Sequence, residues 1–204
     1  EVSIDSLVTT EWLGAHLDDP DRVVLDCTVS IVPTEGGGFQ IVNGRAAYDG
    51  GHIPSAGFAD LMGDLADGNS SLQFAVPTPQ EFATAMGRLG VGDDSRVVLY
   101  DRMGSGWAAR VWWMLRWIGF DRAAVLDGGL GAWTAENRPL STEPADRPAR
   151  QLTVALRPEP VGGDPTIAAE DRERADLPCA HRRAPREPGP HPDGNGRSRA
   201  GQRP

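Results

Sequence analysis

The run Val97-Val98-Leu99-Tyr100-Asp101, followed by Arg102-Met103-Gly104-Ser105-Gly106 and then Trp107–Gly119, constrains this chain more than any other stretch. Its β-prone residues predict a short strand covered on both faces. Gly104 and Gly106 predict a tight turn, and the apolar run behind them, ended by Gly119, predicts a helix. A strand, a short loop and a helix bring backbone N–H groups and a positive helix end to one point. That arrangement is a cradle for an anion or an anionic nucleophile. The residue at its lip is Asp101.

The neighbouring segments repeat the theme. A strand is expected to begin within Ile4–Leu7, and Thr9 or Thr10 caps a helix over Glu11–Leu17 that turns Trp12, Leu13 and Leu17 to one side. Val23–Cys27 and Ala123–Asp127 read as further buried strands, and Leu130–Glu136 as a short helix after Gly128-Gly129. Thr78-Pro79-Gln80-Glu81 has the form of a capping box, and Phe82, Met86 and Leu89 follow at helical spacing up to Gly90. Between these lie a glycine loop at Glu35–Gly38 and a long polar connection from Asp60 to Ala75. Strands separated by helices imply parallel pairing, hence a three-layer α/β domain: a parallel sheet of about five strands flanked by helices.

Composition excludes several classes. The net charge of −9 disfavours nucleic acid and acidic membranes as partners, and no apolar run approaches the length of a membrane span. No secretory leader pattern opens the chain, and Cys27 and Cys179 make no disulfide framework, so a cytoplasmic location is expected. All the basic charge is arginine.

The globular part is expected to end near Leu140, giving a domain over 1–145 and a linker over 146–170; Thr153–Leu156 reads as a last strand or as the start of that linker. Residues 171–204 hold eight arginines, six prolines and one large aliphatic residue, Leu177. Such a segment cannot bury enough apolar surface to offset its chain entropy, and disorder is expected.

Three stretches together resemble the rhodanese superfamily, most closely the first, non-catalytic domain of two-domain thiosulfate and 3-mercaptopyruvate sulfurtransferases. Tyr48-Asp49-Gly50-Gly51-His52-Ile53-Pro54-Ser55-Ala56 is similar to the family's Y-x-x-G-H-I-P-G-A signature, with Ser55 where glycine is usual. Val97–Tyr100 with Ala109-Arg110-Val111-Trp112-Trp113-Met114 resembles the central strand and following helix. Val125-Leu126-Asp127-Gly128-Gly129-Leu130-Gly131-Ala132-Trp133 resembles V-L-D-G-G-x-x-A-W. The resemblance covers roughly residues 5–145, in order.

It implies that active members hold a cysteine where Asp101 stands. The thiolate takes the outer sulfur of the donor as a persulfide, in a loop whose amides and helix end stabilise the anion. An aspartate cannot do this, because its hard oxygen anion makes no stable bond to sulfane sulfur. First domains of the tandem enzymes have this character, with the working cysteine in the second. The expected reading is therefore no catalytic residue and no cofactor, with Arg102, Met103, Gly104, Ser105 and Gly106 an active-site-like loop around Asp101. Gly51, His52, Ile53, Pro54, Asp127, Gly128, Gly129 and Trp133 are the signature positions. The implied partner is a second rhodanese domain, missing here, or another protein met by the helix Trp107–Ile118.

No second cysteine loop follows. The Arg/Pro/Gly-rich text after about Ala168 reads like GC-rich sequence out of frame, so truncation by frameshift is expected; an unbroken frame ending at Pro204 in closely related strains would refute it. An inactive binding or scaffold module is the alternative.

Competing readings of single residues carry less. Cys27, ending an apolar strand, reads as a core thiol. Cys179-Ala180-His181 offers two metal-type ligands where a zinc site wants three or four. His52 reads as structural, because no reacting partner is visible for a base. Gly104-x-Gly106-x-x-Ala109 imitates a dinucleotide fingerprint, with Asp127 in the position of the acidic residue, but three residues separate the strand from the first glycine and Trp107 blocks close approach. A related cysteine phosphatase is excluded by Asp101.

Overall fold

The computed structural model describes residues 6–157. Along the chain come β1 (Leu7–Val8), α1 (Thr10–Ala15), β2 (Arg22–Asp26), β3 (Val29–Pro33), β4 (Phe39–Asn43) and α2 (Arg45–Asp49). Then follow β5 (Gly57–Phe58), α3 (Pro79–Arg88), β6 (Arg96–Tyr100), α4 (Gly106–Trp117), β7 (Ala123–Leu126) and α5 (Gly129–Ala135). One five-stranded sheet runs β1-β7-β6-β2-β5, every pair parallel. This is the expected three-layer α/β architecture.

Alternation along β6 sorts the layers. Val97 and Leu99 join Phe82 and Met86 of α3 and Val111, Met114 and Leu115 of α4 on one face. Val98 and Tyr100 join Leu13 of α1 and Leu130 and Trp133 of α5 on the other. Each large apolar side chain so buried contributes about 1.5–3 kcal/mol, far more than the few tenths by which tryptophan disfavours a helix. That margin is why α4 forms despite carrying four tryptophans. Its inner residues Ala108, Val111, Met114 and Leu115 are fully buried, while Trp107, Trp112, Trp113 and Trp117 are half-buried, with the Trp113 and Trp117 rings stacked parallel at 6.1 Å. The helix is therefore core on one side only.

Caps fall where the residue types place them. Thr9 accepts from the Trp12 amide, and Thr78 and Glu81 form the full capping box. The sequence reading did not assign the flanks of the Glu35–Gly38 loop, which form an antiparallel hairpin of β3 and β4. The hairpin stands off the main sheet with Ile31, Val32 and Phe39 exposed, so neither strand shows the buried pattern of the central ones.

The domain does not stop near Leu140. Residues 141–157 form no strand but run as an extended strap over the domain surface, and Leu152 is buried in the core. The Arg150 amide donates to the Gly87 carbonyl (2.9 Å) and the Ala155 amide to the Ile118 carbonyl (2.8 Å). The Thr153 amide and hydroxyl both donate to the Asp93 carboxylate at 2.7 Å. Gly87 and Gly119 admit this approach, since a Cβ on either would collide with a strap carbonyl. The strap's polar composition hides the seat, because its bonds go to backbone that only the fold exposes. Ile4, the segment 171–204 and Cys179-Ala180-His181 lie outside the described residues.

Candidate active-site loop

Parallel strands end together at one edge of the sheet, where α/β folds place their sites. In-register pairing of β2 with β6 sets Asp26 opposite Tyr100, so Asp101 and Cys27 leave the sheet side by side. The loop after Asp101 turns through positive φ at Gly104 (82°) and Ser105 (69°), which aims successive amides inward.

Those amides are occupied. Asp101 Oδ1 accepts from the amides of Met103 (2.8 Å) and Ser105 (2.9 Å). Its Oδ2 accepts from the amides of Trp107 and Ala108, both at 2.9 Å. Ser105, at the N-cap of α4, makes no side-chain cap bond, so the Asp101 carboxylate caps that helix in its place. Asp101 is 1% exposed. The cradle read from the sequence is thus closed by its own residue, which leaves these four donors no room for an external oxyanion.

Arg102 has a role that the sequence reading did not assign. Its Nη2 donates to the carbonyls of Ala47 (2.9 Å) and Gly51, pinning the loop to the C-terminal end of α2, where the carbonyls and the dipole favour a cation. The same nitrogen lies 3.8 Å from Oδ2 of Asp26. Asp26 is fully buried; its Oδ1 accepts from the Thr28 amide (2.9 Å) and hydroxyl, and its Oδ2 has no hydrogen-bond partner. Burial pushes the Asp26 carboxyl up, against the Thr28 bonds and the Arg102 charge, which pull it down. An aspartate ending a strand with threonine two residues on was the available signal for this Asx turn.

The sign of the Asp26 shift has a consequence for stability. Between the ordinary carboxyl value and the raised one, the folded chain binds more protons than the unfolded chain, so this group's contribution falls as pH rises through that interval. Asp26→Asn keeps the acceptor for Thr28 and removes the buried charge. It is expected to raise the unfolding free energy at neutral pH, with the gain shrinking on acidification. Urea titrations at two pH values check this, and a loss at neutral pH would contradict it.

Cys27 is fully buried, and its thiol is pushed well up by burial and then by the charges of Asp26 and Asp101. It is the core thiol that its strand position predicts, shielded from nucleophilic work. Among the signature residues, Ile53 donates its amide to the Tyr100 hydroxyl (3.1 Å), and burial pushes that phenol far up. Pro54 follows in the same turn, half-buried. Gly128 (φ 71°) and Gly129 (φ 54°) make the turn into α5, and the Leu130 amide donates to the Asp101 carbonyl (3.0 Å). Trp133 is buried with its indole N–H on the Pro139 carbonyl (2.8 Å), whereas Asp127 is exposed. Gly51, Ile53 and Gly129 thus support the loop and the strand that leads into it. Among the described residues, no group of three His, Cys, Asp or Glu side chains lies together as a metal site, and no helix is long and apolar enough to cross a membrane.

The model of the rhodanese-like domain family matches residues 9–136. The chain belongs to the rhodanese family. It is 34% identical over 154 residues to 3-mercaptopyruvate sulfurtransferase of Escherichia coli K12, covering 76% of this chain and 53% of that protein. It is 32% identical over 167 residues to thiosulfate sulfurtransferase of Cricetulus griseus, covering 79% of this chain and 50% of that one. The rhodanese domain superposes on the crystal structure of the E. coli 3-mercaptopyruvate sulfotransferase SseA with a TM-score of 0.69 at 32% identity, over 84% of this chain and 63% of that one. The chain spans about half the length of the relatives it matches.

Proposed function

We propose that this rhodanese chain is the non-catalytic first unit of a thiosulfate or 3-mercaptopyruvate sulfurtransferase, serving beside a cysteine-bearing rhodanese domain. The observation that carries the reading is the Asp101 carboxylate, bound by four loop amides at the place where the resemblance puts the nucleophile. A carboxylate there cannot accept a sulfane sulfur, and its hydrogen bonds keep the loop folded without a substrate. Cys27 offers no replacement, being buried and protonated by its surroundings. The relatives named for both sulfur donors support the family-level activity, which in this reading belongs to the assembled protein.

Assays with thiosulfate plus cyanide and with 3-mercaptopyruvate test it. The chain alone is expected to show no turnover and no added sulfur by mass spectrometry. Turnover that survives Cys27→Ser and Cys179→Ser would overturn the account of Asp101. Turnover lost with Cys27→Ser would move the site to that residue. Asp101→Cys is expected to give at most weak persulfide formation, because the loop closes around two carboxylate oxygens that a thiol, one atom shorter, does not reach.

A further inference from the structure

The signature histidine makes a contact that its role as a turn residue does not require. His52 is fully buried and lies flat on the Tyr48 ring, with centroids 3.9 Å apart. Its Nδ1 stands 2.9 Å from the Tyr48 carbonyl oxygen at the end of α2, and its Nε2 stands 2.9 Å from the Glu143 carbonyl oxygen on the strap. Both neighbours are acceptors only. A neutral imidazole carries one N–H and can satisfy one of them, turning a lone pair on the other at hydrogen-bond distance. A ring with both nitrogens protonated satisfies the two together.

We propose that His52 is a proton-operated latch between the domain and its strap. Doubly protonated, it holds Glu143; singly protonated, it lets that carbonyl go. The strap yields rather than α2, because the Tyr48 carbonyl is also held by the Gly51 amide (3.0 Å), whereas Glu143 sits in an exposed, irregular segment. The charged groups on the surrounding elements are Arg45 and Asp49 of α2, Asp101 and Arg102 of the loop, Arg22 and Asp26 of β2, and Glu143, Asp146, Arg147, Arg150 and Arg157 of the strap. Arg102 bonds the Gly51 carbonyl next to the ring, so the latch adjoins the Asp101 loop. At its far end the strap donates from the Arg157 amide to the Trp117 carbonyl, and Arg157 pairs with Asp121.

Nitrogen-15 NMR of the full chain reads the protonation of both ring nitrogens, and amide exchange in the same sample reads the strap. The Ser141 amide, bonded to the His52 carbonyl at 2.8 Å, is the reporter. Its protection, corrected for intrinsic exchange, is expected to fall about tenfold as the ring loses its second proton, the effect of one charge-assisted hydrogen bond. In His52→Gln the protection should not follow pH. Protection that stays level across the ring's titration, or a ring that stays singly protonated throughout the folded range, would overturn the proposal. Both readings come from the unmutated chain, so they stand even if the variant does not fold.

Discussion

Asp101→Ala is expected to lower the unfolding free energy by about 3 kcal/mol. Four amides lose a charged acceptor at once. Those of Met103 and Ser105 lie in a partly exposed loop and recover water, which discounts their share. Those of Trp107 and Ala108 open α4 and have no substitute, because Ser105 offers no cap bond. Asp101→Asn should cost less, since its one oxygen can serve the Trp107 and Ala108 N–H groups while its amide nitrogen faces those of Met103 and Ser105. Denaturant unfolding of both variants measures this. A loss below about 1 kcal/mol, the worth of one ordinary hydrogen bond, would mean that the carboxylate does not hold the loop.

Gly129→Ala is expected to cost roughly 2–3 kcal/mol through backbone alone. Its φ of 54° is in the left-handed region, and a Cβ there would stand 2.5 Å from the Asp101 carbonyl oxygen. That oxygen also accepts from Leu130, so relieving the clash displaces the residue that fills the loop. The two substitutions act on one structure and should not be additive; a double variant costing clearly less than the sum is the expected outcome. Strict additivity would separate the glycine turn from the loop.

Several features were legible because they are local. Thr78–Glu81 capped α3 as its residue types require, and the strands β2, β6 and β7 fell within a residue of the apolar runs that predict them. The cradle itself followed from a strand, two glycines and a helix. The hairpin β3–β4 was not legible, since it buries too little to imprint a pattern. Arg102 was not, because its acceptors on α2 are about fifty residues away in sequence. The strap was missed for the same reason, its partners being carbonyls and carboxylates of Gly87, Asp93 and Ile118.

The sequence by itself determined the layers, the alternation of the central strands with their helices, and the presence of an oxygen anion where a sulfur nucleophile would stand, because periodicity and residue chemistry are written locally. Only the tertiary structure decided that this anion occupies all four loop amides, and that a buried histidine ties the strap to the signature turn. Those facts depend on which donors and acceptors the packed chain brings within 3 Å of one another, and no spacing along the chain encodes that distance.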